Sequence, residues 1–292
     1  MPSSRRSAAD RAGEVAVIEA SDGVGLYAER HGEPGRGGVP IIFSCAYSTT
    51  HANWLPQVEP LVRAGHRVGL WDYRGHGRSE APDDPAAYSM EQVVSDLGRV
   101  ADWLAPGEPV VLAGLSFGGL ASLHFTVAHP DRVGGLVLAG SGPGFKNPKA
   151  AARWKQQSER TADYIVSRGF EAFVTGRAAP TCIGRKPELP AARVAAEAIA
   201  AQSPHGVAEF GRRVAGLAPS VIDDLAGIEK PALVLVGEHD DAYLQAAEVM
   251  AAKLPKARSE VVPGAGHILN IEQPEAFDRL VVEFLAELSE TA

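Results

Sequence analysis

Short apolar runs alternate along this chain with longer stretches in which apolar side chains recur every three or four positions. Residues 15–20, 26–30, 39–44, 67–71, 109–115, 133–139, 232–236 and 260–262 read as strands. Most are continuous Val, Ile and Leu runs, the pattern of parallel strands covered on both faces. Helical spacing fills the intervals. Over residues 90–105, Val93, Leu97, Val100 and Leu104 fall on one face, and Ser89 with Gln92 has the spacing of a capping box. Residues 117–128 follow a strand directly and stop at His129-Pro130, and residues 274–288 open with Pro274, a favoured first helical residue. The alternation predicts an α/β fold: a mostly parallel central sheet of about eight strands with helices on both faces.

Between residues 142 and 220 the alternation lapses. Trp154, Tyr164, Phe170 and Phe173 lie in an Ala- and Arg-rich stretch, and Val207, Phe210, Val214 and Leu217 follow at helical spacing. A helical insertion of this length between two strands reads as a cap over the carboxyl ends of the sheet, where open α/β sheets bind ligands. The expected organisation is a flexible tail at residues 1–13, a core at 14–141 and 221–292, and a helical cap at 142–220.

Composition narrows the function classes. The 292 residues carry 28 Lys and Arg against 36 Asp and Glu, a formal charge of −8. Nucleic acid and anionic membrane surfaces reward clustered cations, so neither is expected as a partner. No apolar run reaches the length of a spanning helix, and no apolar segment follows Arg5-Arg6 to make an export signal. Two cysteines far apart, Cys45 and Cys182, form neither a disulfide framework nor a metal spacing. A reduced, cytoplasmic setting is the expectation.

The strongest chemical signal is Gly114-Leu115-Ser116-Phe117-Gly118, set between an apolar strand and a helix. In that context G-x-S-x-G is a nucleophile elbow. A tight strand-to-helix turn displays the serine hydroxyl at the top of the sheet, and small neighbours make the turn possible. A serine needs a base to take its proton and an acid to orient that base. Of nine histidines, His267 lies in a glycine-rich loop after the last strand and is the base of choice. His76 reads as fixing a tight turn, and His31, His51, His66 and His205 as surface or loop residues. Asp240, after the strand at 232–236, is the preferred acid, with neighbouring Asp241 and Glu238 as alternatives.

These residues make the chain resemble the α/β-hydrolase superfamily, in its capped serine-hydrolase branch. Trp71-Asp72-Tyr73-Arg74-Gly75-His76-Gly77-Arg78-Ser79 is similar to that family's D-x-R-G-H-G-x-S turn, where Asp72 and Arg74 are structural. The resemblance implies an oxyanion hole made by the backbone N–H groups of Phe117 and of a residue after the strand at 39–44. Cys45-Ala46 stands where the family has His-Gly, so Tyr47 or Ala46 supplies the second donor. Cys45 itself reads as a strand-end packing residue. The implied activity is hydrolysis of a small, hydrophobic carboxylic ester or lactone through an acyl-enzyme, with no cofactor and no metal. A homo-oligomer is compatible with this reading. Carbon–carbon bond hydrolysis, perhydrolysis or lyase chemistry on the same triad is the alternative, and a non-catalytic receptor of the same fold is another. Arg153, Lys155, Arg168 and Arg177 in the cap segment raise the option of an anionic substrate.

Overall fold

A computed structural model of the chain describes residues 13–33 and 38–291. The tail expected over residues 1–13 lies, up to residue 12, outside the described residues. The strands are β1 (Glu14–Glu19), β2 (Gly25–His31), β3 (Pro40–Ser44), β4 (Arg67–Trp71), β5 (Val110–Leu115), β6 (Val133–Ala139), β7 (Ala232–Gly237) and β8 (Ala257–Val262). They form one eight-stranded sheet in the order β1-β2-β4-β3-β5-β6-β7-β8. The six strands from β3 to β8 are parallel, and β1 and β2 add an antiparallel margin.

Burial follows from position in the sheet. The central strands β3, β5 and β7 are buried at every residue, which is why they read as unbroken apolar runs. The edge strands break that pattern. β1 leaves Val15 and Val17 exposed, and β8 carries Arg258 and Glu260, charges that discourage pairing with another sheet.

Helices cover the sheet. α1 (Leu55–Arg63) packs on α10 (Pro274–Thr291), and α2 (Met90–Leu104) packs on α3 (Phe117–Ala128). Val93, Leu97, Val100 and Leu104 of α2 are wholly buried, and the Ser89 hydroxyl caps the helix by accepting the Gln92 N–H at 3.1 Å. Between β6 and β7 the chain forms α4 (Pro148–Thr175, kinked at Gly169), α5 (Ala179–Cys182), α6 (Pro190–Ala200) and α7 (Pro204–Arg213). α4 packs mainly on α7, and Val207, Phe210 and Val214 are buried there. Leu217 departs from the expected stripe. The helix ends at Arg213, and the short turn that follows rotates Leu217 outward to 51% exposure. After β7 come α8 (Asp241–Lys253) and, past β8, the single-turn α9 (Leu269–Glu272). Among the described residues no helix is long and apolar enough to cross a membrane.

The sheet order positions a crevice. From β3 the chain moves outward to β4, and from β5 it moves the other way to β6. The loops leaving the carboxyl ends of these two neighbours therefore diverge, and a ligand-sized opening forms between them.

Candidate active site

Ser116 stands at that opening, directly after β5, with φ 54° and ψ −113°. A side chain at positive φ is strained and persists only where its surroundings enforce it. Here the Ser116 N–H donates to the Ala139 carbonyl at 2.9 Å, and the Ser141 hydroxyl donates to the Ser116 carbonyl at 2.7 Å. The flanking glycines are sterically required. A Cβ on Gly114 would lie 2.1 Å from the carbonyl carbon of Gly118, and one on Gly118 would lie 2.2 Å from the carbonyl oxygen of Ser44. Any larger residue at either position would push β5, α3 and β3 apart.

His267 arrives on the loop after β8. Its Nδ1 lies 2.8 Å from Oδ2 of Asp240, a residue at the end of β7 with only 6% exposure. With Nδ1–H donating to that carboxylate, Nε2 is the free basic nitrogen. The loop is pinned from three sides. Glu238 accepts the Gly264 N–H at 2.8 Å, buried Glu272 accepts the Gly266 N–H at 2.9 Å, and the Ala265 carbonyl accepts the His239 N–H at 2.9 Å. Glu238 is thus committed to backbone, and Asp241 is exposed at the start of α8. Of the three acids considered from the sequence, Asp240 is the one that meets His267.

The Ser116 hydroxyl makes its hydrogen bond not to His267 but to the phenol of Tyr243, at 3.1 Å. The Tyr243 ring in turn stacks on the His267 imidazole, with centroids 4.9 Å apart and planes at 23°. Sequence reasoning missed Tyr243. Its signal was position, in the first turn of a helix that opens one residue after the acid.

Phe117 begins α3, so its N–H has no helical acceptor, and the residue borders the cavity beside Ser116. Ala46, Tyr47 and Phe117 border the same cavity as Ser116, and neither the Ala46 nor the Tyr47 N–H has an acceptor among the described residues. The loop bearing them is held from below by His76. Its Nε2 accepts the Ser48 N–H at 3.2 Å, and burial drives its pKa down to about 4, so it stays neutral and available as an acceptor. From above, Gln202 donates to the Ser48 carbonyl at 3.0 Å and accepts the Gly77 N–H at 2.9 Å, tying the helical segment to this loop. Cys45 is buried, its thiol directed at the Trp71 carbonyl and its pKa pushed well up by burial. That is a packing residue, not a nucleophile.

Two histidines read from the sequence as surface or loop residues are buried. His51 donates its backbone N–H to Asp72 at 2.7 Å and pairs its ring with the same carboxylate at 2.8 Å, while His66 accepts the Val39 N–H. Asp72 and Arg74 are structural. Asp72 also accepts the Arg78 N–H at 2.9 Å, and Arg74 bridges Asp22 and Asp96.

Ser116, His267 and Asp240 border one cavity of about 1100 Å³ under α4. Leu120, Phe145, Trp154 and Phe173 make much of its wall, and Gln157, Thr161, Arg160 and Arg177 add polar groups. Of the four cations singled out from the sequence, Arg177 reaches the cavity. Arg153 and Lys155 lie at a separate surface depression, and Arg168 is exposed elsewhere on α4. Arg160, not anticipated, also borders the cavity.

Comparison with known proteins agrees with this architecture. A profile described as the alpha/beta hydrolase family matches residues 31–280. A Bacillus subtilis (strain 168) protein provisionally named 2-succinyl-6-hydroxy-2,4-cyclohexadiene-1-carboxylate synthase is 30% identical, covering 74% of this chain and 80% of that one. A protein of Caulobacter sp. (strain K31) provisionally named carbamate hydrolase RutD is also 30% identical, covering 90% of this chain and 96% of that one. The solved structure of a thermophilic esterase from Thermogutta terrifontis, with malate bound, superposes with a TM-score of 0.80 at 27% identity, covering 95% of this chain and 99% of that one.

Proposed function

The chain belongs to the alpha/beta hydrolase family, and from that premise we propose that it is a serine hydrolase of a small, largely apolar carboxylic ester or lactone. One observation carries the reading. A strained serine at the β5–α3 turn shares a cavity with a histidine whose Nδ1 is held 2.8 Å from a buried aspartate. Nothing about packing requires that combination. In the reaction, His267 Nε2 takes the Ser116 proton as Oγ bonds to the acyl carbon. Asp240 holds the imidazole in its tautomer and stabilises the imidazolium. The Phe117 N–H and that of Tyr47 or Ala46 receive the developing oxyanion. The imidazolium then protonates the leaving alcohol oxygen, and water repeats the sequence on the acyl-enzyme. The helical segment at 142–220 acts as a cap, with Trp154 and Phe173 giving the acyl or alcohol group an apolar wall. Similarity to a solved esterase supports the ester bond as the target.

The relative provisionally named a synthase favours a second reading. In it the His267–Asp240 pair acts as a general base in a lyase reaction, and Arg160 and Arg177 hold a substrate carboxylate. Hydrolysis of p-nitrophenyl esters from acetate to octanoate, by the wild type and by Ser116→Ala, separates the two. Turnover that vanishes in the variant supports the acyl-enzyme. Equal rates from both proteins would overturn it.

A further inference from the structure

The mechanism just given leaves one group at the reacting atoms unused. The Tyr243 hydroxyl lies 3.1 Å from Ser116 Oγ, and the serine is its hydrogen-bond partner among the described residues. Its ring is stacked on His267. Its backbone N–H donates to the Asp240 carbonyl at 2.8 Å, so the loop that presents the acid also places the phenol. Phenylalanine would fill the same space and make the same stack. The hydroxyl is therefore not explained by packing, and it borders the cavity beside the nucleophile.

When Oγ bonds to the acyl carbon, two further oxygens stand on that carbon. The oxyanion turns to the backbone N–H groups of Phe117 and the β3 loop. The leaving-group oxygen turns to His267, which must protonate it, and the phenol lies on the His267 side. We propose that Tyr243 is a catalytic residue, its hydroxyl donating a hydrogen bond to the leaving-group oxygen as the bond between that oxygen and the acyl carbon breaks. This rests on the serine-hydrolase reading above. The proton that ends on the leaving group comes from the His267 imidazolium, and Tyr243 keeps its own, so the phenol stabilises charge without net transfer. Burial raises the Tyr243 pKa, which keeps the group a donor across the working pH range.

A hydrogen bond to an oxygen developing full negative charge matters most when the leaving group is poor. The experiment compares p-nitrophenyl butyrate with ethyl butyrate in the wild type and in Tyr243→Phe, which keeps the ring on His267. For the ethyl ester kcat is expected to fall about tenfold or more at unchanged KM, the fold-change of one lost charge-assisted hydrogen bond. For the p-nitrophenyl ester the change stays within about threefold, because nitrophenolate leaves without such help. Equal losses on both esters would show a merely structural role, and no loss on either would show no role. Either result overturns the proposal. Mass-spectrometric detection of a fluorophosphonate adduct on Ser116 keeps the two failures apart. A wild type that takes no label and cleaves neither ester refutes the serine reading itself, and the proposal with it. A labelled, active wild type with equal losses in the variant refutes the role of Tyr243 alone.

Discussion

Phe210 of α7 is where the helical segment meets the loop after β3, and its truncation tests that coupling. The side chain is fully buried. Its ring lies 4.5 Å from His76, 5.1 Å from Phe117, 5.2 Å from Tyr73 and 6.4 Å from Tyr47. Removing a buried aromatic ring costs its transfer free energy plus the cavity left behind, about 3–5 kcal/mol. The four ring contacts each add a fraction of about 0.5–1.5 kcal/mol and place this site toward the upper part of that range. Phe210→Ala is therefore expected to cost about 4–5 kcal/mol, which for a chain of 292 residues lowers Tm by about 7 °C. Phe210→Leu fills most of the volume and should cost about 1.5 kcal/mol. Leu217→Ala, at a position 51% exposed, should stay within about 0.5 kcal/mol of the wild type. Urea unfolding followed by tryptophan fluorescence and far-ultraviolet circular dichroism gives the three values. Activity should track them, because the rings of Phe117 and Tyr47, two residues that border the cavity beside Ser116, rest on Phe210. A loss of about tenfold or more in kcat is expected for the alanine variant. If Phe210→Ala unfolds within about 1 kcal/mol of the wild type, the ring is not the anchor described here.

Two further outcomes are expected. Asp240→Asn should lower kcat by about 10³–10⁴, because an amide no longer enforces the working tautomer of His267, whereas Asp241→Asn should change it by less than about threefold; a larger loss in the Asp241 variant would move the acid's role. The second concerns Asp278 on α10, which accepts a hydrogen bond from Gln57 at 3.1 Å and whose pKa is raised by burial to about 6. A raised carboxyl pKa favours the folded state at low pH, and that stability is lost as pH rises from the ordinary carboxylate value through 6. The full shift would amount to about 3 kcal/mol. Partial solvent exposure reduces this to about 1 kcal/mol. Asp278→Asn keeps an oxygen for Gln57 and should stabilise the protein by that amount near about pH 8, with the gain disappearing near about pH 4. A gain that persists at low pH would show that the carboxylate's charge is not its source.

The sequence by itself determined the sheet and the turn that displays Ser116. All eight strands lie where the sequence pattern placed them, within a few residues at each end. Burial on two faces leaves the inner strands β3, β5 and β7 as unbroken apolar runs, while β1 and β8 at the edges carry polar and exposed positions. Ser116 was legible for a local reason, since the turn that displays it demands small residues two positions away on either side and Gly114 and Gly118 are there. Pairing across the chain was legible only in part. Asp240 was preferred over Asp241 and Glu238 from its place after β7, and it is the carboxylate that meets His267, with the 264–266 loop pinned beside it. His51 resembles a loop residue until Asp72, 21 positions later, folds onto it. Tyr243 meets Ser116 across 127 positions, and Arg160 borders the cavity only because α4 lies over it. Periodicity and steric demand act within a few residues and are written in the order of side chains. Contacts between distant positions depend on how β5, β7 and the last loop converge at one edge of the sheet, and only the closed chain specifies that.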